Sequence, residues 1–334
     1  MNSKSTWFIT GAAGFIGANL AAHLLRDGQR VVGYDNFLTG KRADIDRLAA
    51  LGGSAFSFVE GDILDGERLA RALAGATTLV HLAAQVSVQR SLDDPIETNE
   101  INVTGFLRVL QAAAAAGVRR LLYASSCAVY GDNPDLPLAE SSRTAPPSPY
   151  AASKLINEHY ALSLGARHPG MGIVGFRFFN IFGPFQDHQG GYAAVIPRWI
   201  SLMMDGGRPV MFGDGAATRD FCCVDNVCAL LHRVGGGDAR PARGVYNVGT
   251  GETTTLAELY RVIRDRLAAR GIAVPHDSPL KEPWRTGDIV HSYADIARAR
   301  DELGYAATVT LGAGIDRILD QEYGTRVGPG KDGE

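Results

Sequence analysis

Trp7-Phe8-Ile9-Thr10-Gly11-Ala12-Ala13-Gly14-Phe15-Ile16-Gly17 opens the chain with a β-rich apolar run that turns on three glycines. A helical pattern, Ala18 to Arg26, follows directly. Gly11 permits the tight turn, Gly14 lets backbone approach a pyrophosphate, and Gly17 lets helix pack close on strand. The helix start then offers amide donors and a positive dipole end to phosphates. An ordinary glycine-rich turn is the competing reading, and the order strand, turn, helix weighs against it. A second strand, Arg30 to Tyr34, ends in Asp35, 18 positions beyond Gly17. A carboxylate there would bond the adenosine ribose hydroxyls and repel a 2′-phosphate, favouring NAD over NADP. Lys41 and Arg42 close by argue in the other direction.

Strand and helix go on alternating. Phe56–Val59, Thr78–His81, Leu121–Ala124 and Gly172–Phe178 read as short buried strands, with helices over 66–74, 96–116 and 149–167. That order predicts an α/β fold with a Rossmann-type doubly wound parallel sheet. After Asn180 glycine, proline and aspartate become frequent and elements shorten. Strands at Val210–Phe212 and Val245–Val248 and helices near 193–204, 255–270, 293–303 and 311–323 would form a smaller C-terminal α/β substrate-binding lobe. The expected division is a nucleotide lobe over 1–180 with returns from about 221–250, a substrate lobe over 181–323, and a polar, glycine-rich tail over 324–334 expected to be disordered.

Ser125-Ser126 and, after a spacer, Tyr150-Ala151-Ala152-Ser153-Lys154 carry the chemistry. Tyr150 and Lys154 are four apart and share one helix face. Ser148 suits the N-cap and Pro149 the first helical position. The lysine charge is expected to favour the phenolate and bring down a pKa that starts near 10. A phenol so tuned acts as a general base. Tyr-x-x-x-Lys alone is a common pattern, and its meaning comes from the fold signature ahead of it.

The glycine spacing, the Tyr-x-x-x-Lys and the upstream serine together resemble the extended short-chain dehydrogenase/reductase family, from about Ser5 to Tyr323. Further motifs narrow the likeness, among them Gly61-Asp62-Ile63, His81-Leu82-Ala83-Ala84, Val129-Tyr130-Gly131-Asp132, Arg219-Asp220-Phe221 and Arg285-Thr286-Gly287-Asp288. With these the sequence is similar to nucleotide-sugar 4-epimerases, and within them to the UDP-N-acetylhexosamine epimerases of bacterial surface-polysaccharide pathways.

The resemblance implies NAD as cofactor, held by Gly11, Gly14, Phe15, Ile16, Gly17, Asp35, Asn36, Asp62, Ile63, Ala83, Ala84 and Asn102 together with Tyr150 and Lys154. It makes Ser126, four before Tyr130, the catalytic serine, with Ser125 as the rival. For a UDP-sugar it implies Val86, Ser126, Cys127, Asn180, Gln186, Ala194, Val195, Phe212, Arg219, Arg285, Thr286 and Asp288. Arg219 and Arg285 would grip the pyrophosphate, unless each makes only an exposed ion pair. Phe212 would touch uracil, with plain core packing as its alternative, and Asn102 would brace the nicotinamide side or else bond solvent.

In the implied reaction Tyr150 takes the C4 hydroxyl proton while the hydride leaves C4. The 4-keto sugar then turns over in the pocket. The related dehydratases carry an acidic pair after the serine, and here Cys127 and Ala128 stand in those places. A small Thr286 would leave room for a 2-acetamido group, which points to UDP-GlcNAc/UDP-GalNAc. A UDP-hexuronic acid 4-epimerase is the alternative, and a catalytically silent nucleotide-binding scaffold the remote one.

Apolar residues make up 46% of the 334 and charged ones 21%, with net charge −3, which argues against a nucleic-acid partner. No apolar run is long enough to span a membrane. Met1–Ser5 leaves no room for a signal peptide, so a cytoplasmic location is expected. The four cysteines, at 127, 222, 223 and 228, form no Cys-x-x-Cys pair and no metal is expected. A homodimer through a four-helix bundle is expected from the helices at 96–116 and 149–167, with Leu155, Ile156, Ala161 and Leu164 on apolar faces.

Overall fold

A computed structural model of the protein describes residues 5–187, 194–237, 243–284 and 289–324. The first half runs β1 (Thr6–Thr10), α1 (Phe15–Arg26), β2 (Arg30–Asp35), α2 (Arg42–Gly52), β3 (Phe56–Glu60), α3 (Gly66–Ala72) and β4 (Thr78–His81). Next come α4 (Val88–Asp93), α5 (Pro95–Asn99), α6 (Gly105–Ala115), β5 (Arg120–Ser126), α7 (Pro149–Gly165) and β6 (Gly172–Phe178). The second half holds β7 (Asn180–Phe182), α8 (Val195–Met204), β8 (Val210–Phe212), β9 (Thr218–Arg219), β10 (Phe221–Cys223), α9 (Val224–Gly236) and β11 (Gly244–Val248). It ends with β12 (Thr254–Thr255), α10 (Leu256–Ala269), β13 (Leu280–Glu282), β14 (His291–Ser292), α11 (Ala297–Leu303) and α12 (Leu311–Tyr323).

Seven strands form one parallel sheet in the order β11-β6-β5-β4-β1-β2-β3. This is the Rossmann-type arrangement. Connections run outward from β1 in both directions, so a crevice opens at its carboxyl end, where α/β sheets bind ligands. Alternating side chains fill both faces. Trp7 and Ile9 pack under α1 and α9, while Phe8 meets Phe106, Leu79 and Leu121 on the opposite side. Each such fully buried side chain stabilises the fold by roughly 1.5–3 kcal/mol.

A separate apolar cluster joins α8, α10 and α12 through Ile196, Trp199, Tyr260, Ile263 and Ile315. Asp220 ties this region to the sheet. Its buried carboxylate accepts hydrogen bonds from Thr250 N and Oγ1 at 2.7 Å each, from Gly251 N at 3.0 Å and from Ala294 N at 3.3 Å. Cys222 and Cys223 lie buried and unbridged on β10.

Two expectations need correction. The helix expected over 96–116 is interrupted by a widened π-type turn at Glu100–Thr104, which carries Asn102 to the loop it bonds. The region 293–303 is helical only from Ala297, because Tyr293 O, Leu138 and Asp295 bond as an extended pair first. On α7 the apolar residues lie on more than one side. Ala161, Leu164 and Leu155 pack inward and only Ile156 stays on the open side, beside Tyr160. The helix α2 lies outside the elements expected from the sequence, because it buries only Asp44, Ile45 and Leu48 and mixes alanines, Leu51 and charged residues over the rest. The tail from 325 lies outside the described residues.

Candidate active site

The turn between β1 and α1 is shaped by contact distance. Gly11 sits at φ 74, and a Cβ there would meet Ala83 N at 2.6 Å. A Cβ at Gly17 would meet Gly11 O at 2.0 Å, whereas one at Gly14 meets that oxygen only at 3.3 Å. No side chain caps the start of α1, which leaves its first amides for a ligand. These residues form one wall of a cleft of about 780 Å³ that runs along the carboxyl ends of the sheet strands.

Gly11, Gly14, Phe15, Ile16, Gly17, Asp35, Asn36, Asp62, Ile63, Ala83 and Ala84 all line this cleft. Asp35 is held by backbone amides, Oδ2 accepting from Ala13 N at 3.0 Å and Oδ1 from Phe37 N at 2.7 Å. Burial nonetheless pushes its carboxyl upward. Asn36 donates to Asp62 Oδ2 at 2.9 Å and joins the two walls of this end. The two cations that favoured a 2′-phosphate are otherwise engaged. Lys41 pairs with Asp187 at 3.1 Å, and Arg42 pairs with Glu60 at 2.8 Å while stacking over Phe37.

Asn102 does not line the cleft. It is buried behind the wall, where Oδ1 accepts from Gln85 N at 2.8 Å and Nδ2 donates to Gln85 O and Ser153 Oγ at 2.9 and 3.0 Å. It therefore fastens the loop after β4 to α7 and acts on the cleft through that loop.

At the other end Ser126, Tyr150 and Lys154 face the same cleft. Ser148 Oγ accepts from Ala151 N at 3.2 Å and starts α7 at the point that aims Tyr150 inward. Ser126 lies near enough to the Tyr150 phenol to pull it downward. Ser125, the rival, is committed elsewhere, donating to Glu158 Oε1 at 2.5 Å. Lys154 Nζ donates to Ala124 O at 3.1 Å and lies 5.8 Å from the centroid of the Tyr150 ring. The expected lowering of the phenol is not what the protein alone produces. Burial pushes Tyr150 up to about 12, against the downward pull of Ser126. Burial also brings Lys154 down to about 8. Desolvation thus outweighs the lysine charge at this separation.

The residues expected around a sugar nucleotide are less gathered. Val86, Gln186 and Ala194 line the cleft, and Gln186 Oε1 is buried with no hydrogen-bond partner among the described residues. Val195 opens α8 and packs toward the α8–α10–α12 cluster. Cys127 is partly buried beside the cleft, its thiol pushed up to about 12 by burial and pulled down by the Arg219 charge. Arg219 donates to the carbonyls of Ile289, Val290 and Thr218. Asn180 begins β7, its backbone N bonding Asp220 O at 3.1 Å, and Phe212 ends β8 half-buried. Arg285, Thr286 and Asp288 lie outside the described residues.

Several contacts at the site carry no signal in a linear reading. Thr10 and His81 bond each other at 2.8 Å beneath the glycine turn, and burial holds His81 down at about 3. Phe185 reaches the cleft from φ 67, under the Arg47 guanidinium. Only tertiary packing brings these together.

The description "NAD dependent epimerase/dehydratase family" matches residues 7–249. The chain belongs to that family. A UDP-glucose 4-epimerase of Mycolicibacterium smegmatis is 38% identical over 93% of this chain and 96% of its own length. A UDP-glucuronate 4-epimerase of Arabidopsis thaliana is 31% identical over 95% of this chain and 75% of its own. The solved UDP-N-acetylglucosamine 4-epimerase of Methanobrevibacter ruminantium, in complex with UDP-N-acetylmuramic acid, superposes with a TM-score of 0.85 at 32% identity, covering 96% of this chain and 99% of that one. NAD is the family's cofactor, and the glycine cradle, the uncapped start of α1 and Asp35 fit it. Among the described residues no helix is long and apolar enough to cross a membrane.

Proposed function

We propose that this protein inverts C4 of a UDP-hexose, UDP-GlcNAc/UDP-GalNAc, through a transient 4-keto sugar, for polysaccharide synthesis. The observation that carries it is that Ser126, Tyr150 and Lys154 line one cleft with the glycine cradle, with Ser126 near enough to pull the phenol downward. NAD⁺, which the glycine cradle and Asp35 would hold, would supply the hydride acceptor and a positive charge. Tyr150 removes the C4 hydroxyl proton and later returns it. Ser126 donates to the reacting oxygen and hands the proton across. Lys154 stabilises the phenolate from the cleft floor. No acid–base pair follows the serine, because Ala128 has none to offer and the Cys127 thiol is held near 12, so nothing drives water elimination across C5–C6.

The nucleotide lobe of 1–180 with returns from 221–250 and the substrate lobe of 181–323 are part of this reading, as are the UDP contacts of Arg219, Arg285, Asn180 and Phe212. The acetamido preference rests on Thr286 and on likeness to the N-acetylglucosamine epimerase. A UDP-hexuronic acid substrate is the second reading, favoured by the glucuronate relative. Incubation with UDP-Glc, UDP-GlcNAc, UDP-GlcA and UDP-GlcNAcA, with products resolved by proton NMR, tests it. Turnover of a uronate alone would replace the first reading with the second. Binding of NAD and UDP without C4 exchange in any of the four would leave only a scaffold.

A homodimer completes the proposal. In the helices over 96–116 and 149–167, Ile96 on α5 and Ile156 and Tyr160 on α7 are exposed, α5 packs on α7, and Ile96 is 73% exposed. Two copies joined there would form a four-helix bundle. A monomer by light scattering at micromolar concentration would reject it.

A further inference from the structure

Tyr150, Lys154 and Glu158 fall at steps of four along α7, so all three project toward β5. Lys154 bonds Ala124 O and Glu158 bonds the Ser125 hydroxyl, two successive residues of the strand that ends in Ser126. Glu158 is only 7% exposed and is gripped from β6 by Arg177, whose Nε and Nη2 donate to its two oxygens at 2.9 and 2.6 Å. Arg177 is fixed in turn. It donates to Glu140 O at 3.2 Å and stacks at 4.7 Å over the Tyr130 ring, whose hydroxyl bonds Asn247 Oδ1 at 2.7 Å. Asn247 N then donates to Glu140 Oε1 at 2.7 Å. The carboxylate of Glu158 is therefore held directly from β5 and β6, and through Arg177 and Tyr130 by the Glu140 loop and β11.

A buried ion pair is weak evidence for stability, since well-packed apolar residues often replace one without loss. Its placement one helical turn beyond Lys154, with a branch onto the residue before Ser126, gives it another use. We propose that Glu158 is a positioning residue for the reaction, fixing the register of α7 against β5 and hence the separation of the Ser126 hydroxyl and the Tyr150 phenol. It touches no reacting atom and acts through Ser125 and the helix. This rests on the reading of Ser126, Tyr150 and Lys154 as the catalytic groups.

The test compares Glu158→Gln, which keeps an acceptor for Ser125, with Glu158→Ala, which keeps none. Turnover is measured per NAD-bearing protomer, with KM for the UDP-sugar and NAD content measured alongside. Misplacement of reacting groups by about 1 Å costs roughly 100-fold in rate, so Glu158→Ala is expected to lose about 10- to 100-fold in kcat. KM should stay within about threefold, and Glu158→Gln should recover part of the loss. A purely structural residue would lower the unfolding temperature and the active fraction while leaving kcat per NAD-bearing protomer intact, and that result overturns the proposal. If both Glu158 variants fail to fold, Ser125→Ala decides, since it removes one small hydroxyl and leaves the ion pair. One such hydrogen bond is worth about 3- to 10-fold in kcat, and an unchanged kcat refutes the proposal. Tyr150→Phe run beside them separates the two readings. Near-normal turnover in that variant overturns the catalytic assignment, whereas an inactive Tyr150→Phe with fully active Glu158 and Ser125 variants overturns the positioning role alone.

Discussion

Gly14→Ala and Gly17→Ala should fail in different ways, because the two glycines answer different constraints. At Gly14 the backbone is ordinary, φ −84 and ψ 169, and a new methyl meets only Gly11 O at 3.3 Å. The fold absorbs that by a shift of a few tenths of an ångström. The methyl then occupies the cleft that Gly14 lines, where the pyrophosphate must approach backbone. Losing two charge-assisted hydrogen bonds at about 1.5–3 kcal/mol each weakens NAD binding by about 10² to 10⁴. At Gly17 the methyl would lie 2.0 Å from Gly11 O, 2.8 Å from Gly11 C and 2.9 Å from the Ala12 Cα, so backbone itself must move by about 1 Å. Overpacking of that kind costs about 3 kcal/mol, and the helix preference for alanine returns about 1. The net of about 2 kcal/mol lowers the unfolding temperature by about 4 °C, and NAD is lost as well. NAD released on denaturation and a thermal scan read both effects. Full NAD content in Gly14→Ala, or an unshifted scan for Gly17→Ala, would refute the contact argument.

Tyr150→Phe should cut kcat by about 10² to 10⁴ with the NAD content unchanged, as expected for loss of a general base. Thr286→Tyr should lower kcat/KM for acetamido sugars about 5- to 150-fold through a filled pocket, with plain hexoses much less affected; equal losses would remove Thr286 from the sugar wall. Acid should destabilise the fold between pH 6.5 and 5. His81 is held at about 3 and His23 below its ordinary value, both chiefly by burial, so the native state binds fewer protons than the unfolded one. Stability is full above pH 6.5 and falls by up to about 1.4 kcal/mol per pH unit per histidine below it. Asp35, Asp44 and Asp220, raised by burial, oppose this at lower pH. Urea midpoints that are equal at pH 7 and pH 5 would contradict it.

The nucleotide half was legible in the sequence because its determinants are local. Three glycines at fixed spacing, Asp35 at a strand end, and Ser148-Pro149 ahead of Tyr150 each act through neighbouring backbone. What stayed hidden depends on residues far apart in the chain. His81 beneath Thr10, Glu158 beneath Ser125, and Asp220 held by residues 250, 251 and 294 become visible only when strands are brought together. The helix α2 went unseen because a surface element that buries three residues leaves almost no periodicity. The tuning of Tyr150 went the other way from expectation for a similar reason. The four-residue spacing fixes which face Lys154 shares but gives no measure of desolvation, which depends on the whole cleft wall.

That desolvation has a consequence for catalysis. With Lys154 near 8 and Tyr150 near 12, the two groups hold two protons between them below pH 8 and one above it. Base catalysis needs the one-proton state arranged as phenolate and ammonium, so that state must be populated before Tyr150 can act. The apparent pKa belongs to the pair and not to either residue. Activity in kcat/KM should therefore rise through a limb at or below pH 8 and hold beyond it. A positive charge brought into the cleft by a bound cofactor would favour the phenolate and move the limb to lower pH, never to higher. Cys127, held near 12, and His81, held near 3, are both uncharged throughout that window and add no limb of their own. Lys154→Met removes the ammonium, and the limb should then move above pH 9 with kcat reduced. A parent profile that falls between pH 6 and 8, or one that still rises beyond pH 9, would break the link between burial and base strength at this site.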